Sequence, residues 1–173
     1  MNNPAAPEFS RLVPLERVGA EPYRQRIEAN PQERERLAQR FDLLALDFFA
    51  ADVELHRQNG KTVFLNAAFH AEFEQCCGAT LEPVRGEISD RFSLVYGPAE
   101  EEEQDITVSE DEPAFEPLTG DAIDIAEAVA QELSLALPEF PRDPNAAIDD
   151  LLPAEPIEGP FTSLGRLRKR SEC

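Results

Sequence analysis

The stretch Phe49-Ala50-Ala51-Asp52-Val53-Glu54-Leu55-His56-Arg57-Gln58-Asn59-Gly60-Lys61-Thr62-Val63-Phe64-Leu65-Asn66-Ala67-Ala68-Phe69-His70-Ala71-Glu72-Phe73 decides the fold. In its first arm Phe49, Ala51, Val53 and Leu55 fall on one face, with Asp52, Glu54 and His56 on the other. In its second arm Val63, Leu65, Ala67, Phe69, Ala71 and Phe73 share a face, against Thr62, Asn66, His70, Glu72 and Glu74. Successive side chains of a strand point to opposite faces, so a period of two held this long marks half-buried strands. Asn59-Gly60 between the arms supplies the two positive-φ positions that a type I′ turn requires. The pattern predicts a β-hairpin.

Working outward, Ile88, Phe92, Leu94 and Tyr96 stay in phase and predict another strand over about 86–96, with Asp90 interrupting it. Upstream, Phe9-Ser10-Arg11-Leu12-Val13-Pro14-Leu15-Glu16-Arg17-Val18 reads as a strand that Pro14 confines to an edge. Asn30-Pro31 is a helix start, a capping side chain followed by a residue whose fixed φ suits the first turn. That helix carries Glu33 and Glu35 early and Arg36 and Arg40 late, in agreement with the helix dipole. Its substantial apolar members are Leu37 and Phe41 alone, so it is expected on the surface of the fold. Asp124 and Glu127 have capping-box spacing and open a second helix through about Leu137. Ile125, Val129 and Leu133 form its apolar stripe, and Pro138 stops it. Pro141, Pro144, Pro153, Pro156 and Pro160 then mark a tail without long regular structure. The expected class is α+β: an antiparallel β-sheet or partly closed β-barrel of about four to six strands, with two or three helices and an acidic loop. One domain is expected over residues 1–165, with an acidic insertion at about 98–120 and a short basic tail at 166–173.

The chain has 173 residues, 42% of them hydrophobic and 11 of them Phe, which provides a core and excludes wholesale disorder. No stretch approaches the roughly 20 apolar residues of a membrane span. Met1-Asn2-Asn3-Pro4 has neither the basic start nor the apolar run of a secretion signal, so a soluble cytoplasmic protein is expected. Three cysteines, an odd number, with Cys76 and Cys77 adjacent, argue against a disulfide framework and for a reducing compartment. The net charge of −19 is unevenly placed. Residues 1–91 carry 15 acids and 11 bases, whereas residues 92–165 carry 19 acids and only Arg142. Residues 166–173 return to net +3. From Pro98 to Glu116 there are nine acids and no base, which reads as a solvated loop. A field of this sign repels phosphate backbones and anionic lipid and attracts basic partners.

No catalytic constellation emerges: there is no Gly-rich phosphate loop, nucleophile elbow or paired-histidine helix. His56 and His70 lie on the polar faces of the hairpin, where a suitable register would bring them together with Glu72 and Glu74 as metal ligands. Solvent-facing polar residues on a half-buried sheet explain them more simply. A zinc site built on Cys76-Cys77 would need more thiols or imidazoles downstream, and the chain offers only Cys173. The expectation is therefore no catalytic residue, no metal ligand and no cofactor.

Read in order, three landmarks resemble the YceD family, the large ribosomal RNA subunit accumulation proteins. The hairpin leading into Gln75-Cys76-Cys77-Gly78-Ala79-Thr80-Leu81-Glu82-Pro83-Val84 is similar to the family's strand ending in a cysteine and a Pro-containing turn. Ile123-Asp124-Ile125 through Leu135-Ala136-Leu137-Pro138, with Phe140-Pro141-Arg142, is similar to its helix running into a Leu-Ala-Leu-x-Pro segment. Gly159-Pro160-Phe161 and Leu164-Gly165-Arg166-Leu167-Arg168-Lys169-Arg170 resemble its Asn-Pro-Phe and Leu-x-x-Leu followed by bases. Thr80 stands where the family's second cysteine falls, Asp143-Pro144-Asn145 where some members carry further His or Cys ligands, and Gly159 where Asn is usual. The resemblance therefore carries no zinc site over to this chain.

The resemblance implies a non-enzymatic role in the synthesis, processing or stability of 23S rRNA in bacteria, and so in large-subunit accumulation. Acidity then favours a basic partner, a ribosomal protein of the large subunit or a pre-ribosomal particle. Its docking surface would be Glu100, Glu101, Glu102, Glu103, Asp105, Glu110, Asp111 and Glu112. One alternative is direct contact with rRNA through Phe161, Arg166, Arg168, Lys169 and Arg170, residue types suited to stacking and phosphate binding. Four cations give a salt slope of only about 3 on single-stranded RNA, against the repulsion of the body. A remote alternative is a metal-dependent nuclease or phosphatase, for which the acids have no recognised spacing and no base to receive a phosphate.

Overall fold

In a computed structural model of the chain, the described residues are 7–19, 21–58, 62–98 and 114–144. The alternation around the hairpin builds β3 (Ala45–Gln58) and β4 (Thr62–Cys76), paired antiparallel from Gln58↔Thr62 to Ala45↔Glu74. The register shifts once, between Leu46 and Phe48. The Asn59-Gly60 turn itself lies outside the described residues. β5 (Pro83–Gly97) continues antiparallel to β4 without irregularity, and β2 (Tyr23–Glu28) pairs with β3 on the other side. β6 (Ala114–Pro117) joins the far edge parallel to β5, which gives the order β2-β3-β4-β5-β6. The sheet is open, with β2 and β6 at its two ends, and not a closed barrel.

Large and small residues alternate across the hairpin face. Phe49 stands opposite Ala71, Ala51 opposite Phe69, Ala67 opposite Phe92, and Phe73 opposite Gly86. Each ring fills the space its neighbour leaves, and Phe49, Phe69 and Phe73 are buried as a result. Full burial of one such side chain stabilises the fold by about 1.5–3 kcal/mol. The same face receives both helices: α1 (Pro31–Arg40) packs on β3, and α2 (Ile125–Ala136) lies against β4 and β5. The opposite face carries Asp52, Asn66 and Glu72 toward solvent.

α1 starts as its sequence predicts, with a complete capping box. Asn30 Oδ1 accepts from the Gln32 and Glu33 N–H groups at 3.0 Å, and Glu33 accepts back from the Asn30 N–H at 2.8 Å. Leu37 and Ala38 of α1 are buried, so this helix is seated in the core rather than lying loosely on it. α2 departs from expectation. Asp124 caps it by accepting from the Ala126 and Glu127 N–H groups, but Glu127 turns away and forms a two-pronged bond to Arg40 at 2.8 and 2.9 Å. A bidentate guanidinium pair outcompetes the single return bond of a capping box, and it ties α2 to α1.

The N-terminal stretch is a correction. Only Leu12–Pro14 is a strand (β1), and Leu15–Arg17 closes into a 3₁₀ turn. Pro14 lacks the N–H that would extend the ladder. β1 pairs with β7 (Ala122–Asp124) in a small two-stranded sheet of its own. Three strands were not expected: β7 itself, β2, whose one strongly apolar member is Ile27, and β6, which lies inside the stretch read as loop.

Candidate functional site: an acidic groove beside α2

The register of β4 and β5 places Asp90 opposite Phe69, on the helix-covered side of the sheet. A carboxylate at an inward position is tolerated here because β5 is close to the sheet edge, where Asp90 stays exposed. Glu132 of α2 feels the charge of Asp90 and also that of Glu116 of β6, which is level with Tyr96, six residues or about 20 Å along β5 from Asp90. A groove runs between β6 and α2, lined by Tyr96, Glu116, Leu118, Asp124, Glu127 and Gln131. Burial raises the Glu132 carboxyl above its usual range, and the charges of Asp90 and Glu116 raise it further. Tyr96 is pushed up to about 12, by burial first and then by Glu116, Asp124 and Glu132. Every charge named in these two shifts is negative. The groove therefore holds a fixed negative potential that a cation would relieve.

Several acids elsewhere have arginine partners. Glu33 is held below the usual carboxylate range chiefly by its hydrogen bond from Arg11, at 2.7 Å, while Arg24–Glu54, Arg26–Asp52 and Arg85–Glu74 bridge neighbouring strands. Arg40 bonds both Glu127 and Glu8. None of these pairs includes Asp90, Glu116 or Glu132.

The acids expected to bind a partner, Glu100 to Glu103, Asp105, Glu110, Asp111 and Glu112, lie outside the described residues, as do Phe161, Arg166, Arg168, Lys169 and Arg170. What the fold fixes is where the acidic segment is anchored. It leaves the end of β5 at Gly97 and returns to start β6 at Ala114, beside Leu94 on the same strand. Parallel neighbours need a crossover of a dozen or more residues, and both ends of this one adjoin the groove. Asp90 and Glu132 were missed as site residues by sequence reasoning. The available signal was the break that Asp90 makes in an otherwise apolar phase.

The histidines do not meet. His56 stands opposite Phe64 and stacks on it at 5.1 Å between ring centroids, whereas His70 stands opposite Ala50, packs against Phe48 and bonds Ser89 at 3.0 Å. Six residues of strand, about 20 Å, separate them. The cysteine turn gathers Cys77, Thr80 and Asp143. Cys77 is buried, and its thiol is lowered to about 7, first by a hydrogen bond from the Thr80 hydroxyl. The N–H groups of Asp143, Thr80 and Ala79 add to that effect. Bonds from the Cys77 N–H to Glu82 O, from Gly78 N–H to Pro141 O and from Leu81 N–H to Cys77 O fix the turn, with Leu81 at φ 61°. The Thr80 hydroxyl and the N–H groups of Asp143, Thr80 and Ala79 donate to the sulfur and offer a metal nothing. Among the described residues no three His, Cys, Asp or Glu side chains converge as a metal site. The donor set does not fit zinc.

The family model described as large ribosomal RNA subunit accumulation protein YceD matches residues 65–159, more than half of the chain. The chain belongs to the YceD family. The match begins within β4 and takes in β5, the cysteine turn, β6, β7 and α2, so the groove lies wholly inside the YceD region. No curated protein and no solved structure matches the chain. Among the described residues, no helix is long and apolar enough to cross a membrane.

Proposed function

We propose that this YceD-family chain is a non-enzymatic factor in large-subunit biogenesis. It supports the synthesis, processing or stability of 23S rRNA by holding a basic protein of the assembling subunit against its acidic side. The sheet and helices are the scaffold, and the groove with the adjoining acidic segment is the docking surface. One observation carries this reading: the groove beside α2 is lined by Glu116 and Asp124, and burial, reinforced by the negative charges around it, raises the pKa values of Glu132 and Tyr96. The neighbouring stretch 98–116 adds nine acids and no base. Such a surface steers a cationic chain toward it and repels a phosphate backbone.

The test uses the immobilised full-length chain and the total protein extracted from purified large ribosomal subunits. Basic subunit proteins are expected to be retained at low salt and released at roughly 1 M salt, where the Debye length shrinks to about 3 Å. Changing Glu100→Gln, Glu101→Gln, Glu102→Gln and Glu103→Gln together is expected to lower retention by on the order of tenfold. In a parallel assay with purified 23S rRNA, binding that disappears on deleting residues 166–173, with no basic protein retained, overturns the basic-partner reading in favour of the tail.

A further inference from the structure

β5 is 15 residues long, but β6 pairs only with its last four, Leu94–Gly97. Among the described residues, the stretch before them has β4 on one side and no strand on the other. The bond from the Cys77 N–H to Glu82 O, one step beyond the β4–β5 ladder in the same register, turns the even-numbered residues of β5 toward β4. The bond from the Leu118 N–H to Gly97 O turns the odd-numbered ones outward. Arg85, Glu87, Ser89, Arg91 and Ser93 therefore present their N–H and C=O groups to the open edge, which makes it a template for a further strand. Packing along it is unfinished as well: Ile88 and Phe92 are only partly buried, whereas Leu94, with β6 beside it, is buried.

The charges on this edge are mixed, and their order is self-complementary. On the face of the sheet away from the helices, Arg85 is paired with Glu74 at 2.9 Å. Among the described residues Arg91 has no carboxylate partner, and Glu87 has only the His70 ring, 3.8 Å away. A second copy related by a two-fold axis perpendicular to the sheet pairs antiparallel and sets same-face residues opposite each other. Centred on Glu87, Asp90 or Arg91, that pairing puts a charge opposite itself, and centred on Ile88 it puts Arg85 opposite Arg91. Centred on Ser89, it sets Glu87 against Arg91 twice, Arg85 against Ser93 and Gly86 against Phe92, with no like charges directly opposite. Opposite charges stabilise a cross-strand pair and like charges destabilise it, so one register is selected. That register also stops at Ser93, where β6 begins.

We propose that the chain forms a two-fold dimer through β5, with residues 85–93 of the two copies antiparallel and Ser89 opposite Ser89, so that the two sheets become one. The ladder is about 30 Å long and holds about ten main-chain hydrogen bonds. Phe92 of each copy covers the bare backbone of Gly86 in the other, and Glu87 and Arg91 gain the partners that they lack within the chain. Asp90 works against the pairing, because it lies diagonally about 7–8 Å from Asp90 of the other copy, and it keeps the dimer reversible. The groove beside α2 and the acidic segment take no part, so the dimer and the basic-partner reading stand or fall separately.

The experiment is sedimentation equilibrium of the full-length chain in about 0.15 M salt, where the repulsion between two chains of net charge −19 is screened beyond about 8 Å. The native chain is expected to pass from monomer to dimer as its concentration rises through the micromolar range, with amide exchange slowing across residues 85–93. Glu87→Arg and Arg91→Glu, both at exposed positions, each set like charges opposite each other twice. Each is expected to weaken the dimer on the order of tenfold or more. Mixing the two single variants restores both charge pairs in a heterodimer, and combining the two changes in one chain restores them in a homodimer, so both are expected to recover the native affinity. Unchanged exchange in β3 and β4 of the dilute variants verifies their fold. A native chain that stays monomeric overturns the proposal, and so does a dimer that the single variants leave intact. A loss that neither mixing nor the combined change repairs overturns it too. Slow exchange at 85–93 in the dilute native chain means that the edge is already covered within the chain and likewise overturns it.

Discussion

The Cys77 thiol is fully enclosed, and burial alone would push its pKa upward; the Thr80 hydroxyl and three N–H groups reverse that and bring it to about 7. In the unfolded chain the thiol returns to roughly 8.5. A group whose pKa is depressed by folding contributes stability that is complete above the unfolded value and is lost as pH falls through the folded one. The contribution is thus absent below pH 7 and grows as pH rises from about 7 to 9. The melting temperature of the native chain relative to Cys77→Ser is expected to rise across that window, and Thr80→Val is expected to flatten the rise without removing the thiol. A difference between native and variant chains that does not change with pH would sink this account. Because the sulfur is held by hydrogen-bond donors, a chelator is expected to leave the melting temperature unchanged, whereas a fall on chelation would put a metal at the turn.

At the scale of elements, the alternation of large and small residues across β3, β4 and β5 makes the sheet intolerant at an unexpected point. A glycine inside a strand is ordinarily a weakness that a larger residue repairs. At Gly86 the sign reverses, since an added Cβ would lie 2.5 Å from the Cε2 and Cζ atoms of Phe73, a ring that is itself buried. Gly86→Ala is expected to destabilise the chain by about 1–3 kcal/mol in denaturant unfolding, and to recover in part when combined with Phe73→Leu. A stabilising Gly86→Ala would show that the ring moves freely. The hairpin was legible because fourteen- and fifteen-residue strands repeat their period often enough to exclude a helix. β2 was not, because Tyr23-Arg24-Gln25-Arg26-Ile27-Glu28 alternates with a single strong apolar residue, and its place is decided by pairing with β3. β1, β6 and β7 are three or four residues each, too short for any period to declare itself. The capping box of α2 was misread for a similar reason: the partner that takes Glu127, Arg40, lies 87 residues away.

For the molecule as a whole, the site was legible as a charge and not as a place. Composition located the acids to the back half, but only the β4–β5 register shows that Asp90 turns to the side of the sheet that α2 covers, where its charge reaches Glu132. The same uneven charge bears on stability. The front of the fold holds five of its arginines in the pairs Arg11–Glu33, Arg24–Glu54, Arg26–Asp52, Arg40–Glu127 and Arg85–Glu74. Residues 92–165 hold 19 acids against one arginine. Surface ion pairs contribute about 0–1 kcal/mol each and weaken with salt, whereas the repulsion summed over an excess of this size is relieved by salt. The second effect is the larger one here. Sodium chloride raised from about 0.01 M, where charges interact over some 30 Å, to about 1 M is expected to raise the melting temperature by roughly 2–5 °C. Retention of a basic partner is expected to fall across the same range, so that salt strengthens the fold while weakening the complex. Should the melting temperature fall with salt instead, the front-half pairs outweigh the repulsion, and the acidic side is already neutralised within the chain.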